Sequence, residues 1–99
     1  MNKRQLIVLC LFAAGGVMQA QQWPNTPVEA RPGARWWWLG SAVDEKNLTY
    51  NLEEYARTGM GAVEITPIYG VQGNDANEIQ FLSPRWMEML KHTQAEGKR

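Results

Sequence analysis

The sequence predicts an α/β protein made of two consecutive strand–helix units. Two short runs of aromatic or β-branched residues, 35–39 and 61–66, each precede a segment whose apolar residues recur at α-helical spacing. Capping residues stand at the start of both helical segments. Strands that alternate with helices pair in parallel through a right-handed crossover, so we expect one parallel sheet with helices packed against it.

The first unit contains a strand at residues 35–39 and a helix after it. Arginine, three tryptophans and leucine form the strand, which Gly40 ends. Asp44 is the predicted N-cap of the helix, and Gly59 ends it in a left-handed conformation. The apolar face of this helix consists of Leu48, Leu52, Tyr55 and Ala56.

The second unit contains a strand at residues 61–66, which Pro67 closes, and a helix that starts at Ser83 and ends at Gly97. The connection between them, residues 67–82, is long for an α/β protein, in which about two to six residues are usual. Long connections on a rigid scaffold are typical of functional loops. We therefore expect this connection to contribute to a binding site.

Chain length decides how much of a larger fold these two units represent. The strands start about 26 residues apart, so an eight-unit barrel at this spacing needs more than about 200 residues, and the chain has 99. The sequence therefore predicts the first two βα units of a (β/α)8 TIM-type barrel, incomplete in this chain. We expect residues 35–99 to form this partial barrel and the proline-containing residues 21–34 to form an extended lead-in segment.

The N-terminal residues predict export. Two basic residues precede an uncharged, mainly apolar run at 6–18, and small residues follow up to Ala20, which is the pattern of a secretory signal peptide over residues 1–20. Cleavage near Gly16 is an alternative. Spanning a bilayer takes about 20 apolar residues, more than this run has, so we expect no stable membrane span after cleavage. The predicted location is the periplasm, the cell surface or the extracellular space.

Composition and charge exclude several classes of function. Ten basic residues balance ten acidic ones, which disfavours a nucleic-acid-binding protein, and removal of residues 1–20 changes the net charge only to −2. The exported part has no cysteine and hence no disulfide. Lipid attachment at Cys10 is an alternative to cleavage, although Leu9 before it is larger than such signals favour. The sequence has no Gly-rich phosphate loop, no metal-spaced Cys or His cluster and no nucleophilic serine elbow.

Three blocks of sequence carry a family resemblance. They are Arg-Trp-Trp-Trp-Leu-Gly-Ser-Ala-Val-Asp at 35–44, Gly-Met-Gly-Ala-Val-Glu-Ile-Thr-Pro-Ile-Tyr-Gly-Val at 59–71 and Phe-Leu-Ser-Pro-Arg-Trp-Met-Glu-Met-Leu at 81–90. In this order, and within residues 31–99, they resemble glycoside hydrolase family 106, the α-L-rhamnosidases. The resemblance implies a secreted barrel enzyme that acts on rhamnose-containing glycans, removes terminal rhamnose with inversion and uses calcium.

Inversion needs one carboxylic acid to protonate the leaving oxygen and one carboxylate to activate water. In the family that the chain resembles, both groups are expected on later strands, so we assign no catalytic residue here. In this interpretation the chain is the N-terminal fragment of a glycosidase catalytic domain and is inactive alone. Two alternatives stay open: a small secreted carbohydrate-binding protein without catalytic activity, and an inert remnant that does not fold by itself.

Three residues are candidate sugar contacts: Trp38, Glu64 and Tyr69. Trp38 is the tryptophan nearest the C-terminal end of the first strand, where an indole can stack on a sugar ring, and core packing is the alternative. Strand alternation places Glu64 on the face away from the helices, with Arg35 of the neighbouring strand as its partner if it contacts no ligand. Tyr69 lies in the connection 67–82 and is expected on the same side.

The remaining polar candidates have simpler explanations. Asn74 and Asp75 fit a turn as well as the rim of a sugar pocket, and they are too few for a calcium loop. His92 follows Glu88 by four residues, so the two are expected to pair on the surface of the second helix.

Overall fold

The computed structural model describes Asn2, Lys3 and residues 21–99, and it confirms the predicted order of elements. The chain forms a strand, a helix, a second strand and a second helix: β1 (Gly33–Leu39), α1 (Glu45–Arg57), β2 (Ala62–Ile68) and α2 (Pro84–Lys98). Two 3₁₀ turns, Val28–Ala30 and Asp75–Asn77, lie before β1 and in the connection between β2 and α2. The predicted signal peptide, apart from Asn2 and Lys3, lies outside the described residues. Within those residues no helix is both long and apolar enough to cross a membrane.

β1 and β2 pair in parallel, as predicted, with Arg35 opposite Glu64 and Trp38 opposite Pro67. Pro67 therefore lies inside β2 and does not close it. A proline has no N–H to donate, and it is tolerated here because each strand of a two-stranded sheet is an edge strand. β1 also begins earlier than predicted, at Gly33.

The prediction of a partial (β/α)8 barrel is wrong. The two strands form an open sheet, and β1 has buried side chains on one face and exposed side chains on the other. A barrel requires a sheet that curves until its outer strands pair, and in the described part of the chain neither outer edge has a partner strand. The protein is instead a small α/β arrangement in which α1 and α2 cover one face of a two-stranded sheet.

The covered face holds a core of five buried side chains: Trp36, Trp38, Leu48, Trp86 and Met89. The aromatic rings meet edge to face, with centroids 5.9 Å apart for Trp36 and Trp38 and 6.0 Å apart for Trp38 and Trp86. Tyr55 continues these contacts beyond Trp36, and Phe81 continues them beyond Trp86. Aromatic pairs favour this arrangement because the positive ring edge meets the negative ring face. The core therefore consists largely of interlocking indoles.

The helix ends follow the capping prediction with one exception. The backbone N–H three residues after Asp44 donates to its Oδ1 at 2.9 Å, and the equivalent N–H after Ser83 donates to its Oγ at 3.2 Å. Gly59, with φ of +91°, stands after α1 in the left-handed region. Gly97 does not end α2, which continues to Lys98.

Candidate functional site

The face of the sheet opposite the helices carries an ion pair. Arg35 Nε lies 3.3 Å from Glu64 Oε2, and both side chains are exposed. The pair forms because these two residues lie opposite each other in the register of β1 and β2. Arg35, the alternative partner predicted for Glu64, is thus paired with it, while sugar contact by Glu64 stays a prediction. An exposed pair of this kind contributes little to stability.

Trp38 lies in the core with 1% of its surface exposed, whereas Trp37 is 61% exposed on the other face of the sheet. Packing against the two helices buries positions 36 and 38, and alternation leaves position 37 in solvent. Sugar contact by Trp38 stays a prediction, and it requires the indole to leave this core. The indole N–H of Trp38 is buried without a hydrogen-bond partner in the described residues.

A cleft opens at the carboxyl ends of β1 and β2, the edge at which α/β sheets commonly bind ligands. This strand-end cleft has a volume of about 410 Å³, and its lining includes Tyr69, Glu78, Gln80 and Phe81. Tyr69, a predicted site residue, is 83% exposed there. Phe81 is also exposed, and its ring contacts Trp86 of the core at a centroid distance of 4.9 Å. One wall of the cleft thus adjoins the core directly.

Gly40 holds the two sides of the strand-end cleft together. Its N–H donates to the carbonyl oxygen of Ile68 at 3.0 Å, and its own carbonyl oxygen accepts from the N–H of Ile79 at 3.1 Å. Ile79 is half buried against the core, so its neighbours Glu78 and Gln80 are held at the cleft. The long connection between β2 and α2 is therefore attached to the sheet at the place where a ligand would enter.

Glu78 supplies the carboxylate of the strand-end cleft, and the sequence pattern does not predict it. Its Oε1 lies where other side chains would project: a Cβ atom at Gly40 would come within 2.7 Å of it, and a Cβ atom at Gly70 would overlap it. The carboxylate forms no hydrogen bond or ion pair with any described residue. The signal that could have found this site is the pair of glycines, because each stands within two residues of a strand end.

Asn74 and Asp75 do not line the strand-end cleft. Asn74 precedes the 3₁₀ turn and accepts a hydrogen bond from Asn77 Nδ2 at 2.7 Å, so turn chemistry accounts for it. Calcium, which the family resemblance implies, takes six or more oxygen ligands as a rule. Among the residues that the structure describes, no group of three His, Cys, Asp or Glu side chains is placed to hold a metal ion. Calcium therefore stays a prediction of the family resemblance.

Comparison with known proteins finds no matching family model, no matching curated protein and no matching solved structure. The features that bear on function are therefore the geometry of the strand-end cleft and the sequence blocks that resemble the rhamnosidases.

Proposed function

We propose that this chain is an exported carbohydrate-binding protein that holds a terminal rhamnose residue of a glycan in the strand-end cleft. The observation that carries the proposal is the exposed ring of Tyr69 at a cleft of about 410 Å³. A tyrosine ring offers an apolar face to the C–H groups of a sugar, and Glu78 and Gln80 offer hydrogen-bonding groups to its hydroxyls. The resemblance to family 106 supplies the identity of the sugar.

The carboxyl groups that line the cleft favour binding without hydrolysis. An inverting glycosidase needs two of them about 6.5 to 9.5 Å apart, and Glu78 is the carboxyl group that lines the cleft in the described residues. We therefore expect the purified chain to release no rhamnose from an aryl rhamnoside. Release of rhamnose would favour a second candidate, the N-terminal portion of a rhamnose-releasing hydrolase, which is supported by the resemblance alone.

Tyr69→Ala tests the proposal, with Tyr50→Ala as the matched control. Both tyrosines are exposed, but Tyr50 lies on α1 and does not line the strand-end cleft. By isothermal titration calorimetry with methyl α-L-rhamnoside, we expect Tyr69→Ala to weaken binding at least about tenfold because the stacking surface is lost. Tyr50→Ala should bind as the wild type does. Absence of binding by the wild type, or equal binding by both variants, would contradict the proposal.

A further inference from the structure

Glu78 differs from most described glutamates of this protein because no cation among the described residues neutralises it. Six others each contact an arginine: Glu45, Glu53, Glu54, Glu64, Glu88 and Glu96. The carboxylate of Glu78 lies instead against the backbone of Gly40 and Gly70 and has no polar partner among the described residues. Its acceptor capacity is therefore free at the cleft.

The position of Glu78 is set by the fold. The backbone N–H of Glu78 donates to the carbonyl oxygen of Asp75 at 3.2 Å, and the next N–H, that of Ile79, donates to Gly40. With Ile79 packed against the core, the side chain of Glu78 starts from a fixed backbone. A site that is formed before the ligand arrives loses less conformational entropy on binding.

A carboxylate accepts hydrogen bonds at two oxygens and donates none. Two neighbouring hydroxyl groups on a sugar ring supply two donors, so each can donate to one oxygen of the same carboxylate, and bonds to a charged acceptor are stronger than neutral ones. We propose that Glu78 recognises a vicinal diol of the terminal sugar, with each carboxylate oxygen accepting from one hydroxyl. This inference rests on the proposed function and names the residue that selects the ligand.

Gly70 belongs to the same recognition element because it leaves the space that the carboxylate occupies. The backbone of Gly70 does not lie in the left-handed region, so alanine fits the backbone conformation. The added Cβ would, however, overlap Glu78 Oε1. Gly70→Ala therefore displaces the carboxylate while it leaves Glu78 itself in place.

The test uses the full chain and methyl α-L-rhamnoside in isothermal titration calorimetry. We expect Glu78→Gln and Gly70→Ala each to weaken binding at least about tenfold, as for lost hydrogen bonds to a charged group. The matched controls, Glu29→Gln and Gly97→Ala, lie outside the strand-end cleft and should bind as the wild type does. Thermal melts followed by circular dichroism should show both cleft variants folded, because Glu78 is exposed.

Deoxygenated rhamnosides separate recognition from a structural role. Removal of one hydroxyl of the recognised diol should lower the affinity of the wild type. The same removal should lower the affinity of Glu78→Gln by a much smaller factor. This comparison is a double-mutant cycle between a side chain and a ligand group. A purely structural role of Glu78 would leave the two losses independent.

The outcomes distinguish this inference from the proposed function. Undiminished binding by Glu78→Gln, together with impaired binding by Tyr69→Ala, overturns the role of Glu78 and leaves the proposed function standing. No binding of the rhamnoside by the wild type overturns both. Tighter binding of tetramethylammonium than of the rhamnoside, lost in Glu78→Gln, would identify a cation site and overturn recognition of a diol.

Discussion

Ser41 satisfies a polar group in the middle of the aromatic core. Its buried hydroxyl accepts a hydrogen bond of 3.0 Å from the indole N–H of Trp86. Ser41→Ala leaves that N–H without an acceptor, so we expect the free energy of unfolding to fall by about 1–3 kcal/mol in urea titrations. The φ of +50° at Ser41 disfavours alanine about as much as serine, because both carry a Cβ atom.

Trp86→Phe provides the control for this prediction. It removes the indole N–H, so adding Ser41→Ala to Trp86→Phe should cost less than Ser41→Ala costs in the wild type. The four proteins form a double-mutant cycle, in which the free energy lost through the smaller volume at position 86 is the same with and without Ser41→Ala and therefore cancels. Strictly additive losses would show that the hydrogen bond contributes nothing.

The lowered pKa of Asp44 makes the stabilisation at the start of α1 depend on pH. Hydrogen bonds from the backbone and side chain of Asn47 lower the pKa of Asp44 from its ordinary value of 3.8. Because the pKa is lower in the folded than in the unfolded chain, the stabilisation is complete above the ordinary value and is lost as the pH falls through the folded value. Thermal melts between pH 6 and pH 2 should therefore show a smaller acid-induced loss in Asp44→Asn than in the wild type.

Asparagine is suited to this comparison because it also caps helices and does not titrate. Other carboxyl groups whose pKa values are lowered by arginine, such as Glu45, Glu54 and Glu96, keep both proteins sensitive to acid. The difference between the two melting profiles therefore isolates Asp44. Profiles that run parallel down to pH 2 would contradict the prediction.

Prediction from sequence at the scale of single residues succeeded where register or capping decides the contact. Arg35 and Glu64 were expected to meet because they occupy equivalent places in two paired strands. Trp38 is a candidate for sugar contact because it lies near the C-terminal end of its strand, and its burial at 1% exposure depends on which strand face the helices cover, which alternation alone does not determine. Glu78 is not predicted because its position depends on how the connection folds back over the strand ends. The two glycines near those ends indicate space there but do not say which side chain fills it.

At the scale of elements, the two faces of β1 make different contributions to stability. Leu48 of α1 is buried against the covered face, whereas Leu39 is 42% exposed on the open face. We expect Leu48→Ala to lower the free energy of unfolding by about 2–5 kcal/mol, since it leaves a cavity in the core. Leu39→Ala, which deletes the same atoms, should stay within about 0.5 kcal/mol of the wild type. Equal losses in urea unfolding would show that both faces are covered in solution.

The contacts between α1 and α2 show why helix surfaces are hard to predict. The spacing of four residues predicts that His92 pairs with Glu88, and this prediction is wrong. His92 instead shares a hydrogen bond of 2.9 Å with Thr49 of α1. Arg85 likewise reaches Glu45 across the helix pair at 2.9 Å, and its guanidinium lowers the pKa of that carboxyl group. Spacing rules describe neighbours within one helix, whereas these partners are set by how two helices lie together.

At the scale of the whole molecule, a strand–helix–strand–helix order does not determine whether a sheet closes. The order, the parallel pairing and the helix starts follow from local signals such as Asp44 and Ser83, and all three were predicted. Closure depends on further strands at the outer edges and on sheet curvature, and neither is encoded in the spacing of two units. The barrel was inferred from that spacing, which an open two-layer arrangement satisfies equally well.

Export is a property of the whole chain that mass spectrometry can test. If residues 1–20 are a signal peptide, protein recovered from the exported fraction should begin at Gln21 and have a net charge of −2. The intact mass separates this start from cleavage near Gly16 and from lipid attachment at Cys10. Recovery of the uncleaved chain from the cytoplasm alone would contradict export.

The edge-to-face contacts form one continuous row of rings from Tyr55, through the indoles of the core, to Phe81 at the cleft. A ligand seated against Phe81 would alter the surroundings of a ring that touches Trp86, so the intrinsic fluorescence of the unlabelled protein should follow occupancy. Because only the folded chain forms this wall, the ligand binds the folded state alone. The melting temperature should therefore rise as the ligand concentration is increased. The tryptophans that stabilise the core therefore also serve as an intrinsic fluorescent probe of ligand binding.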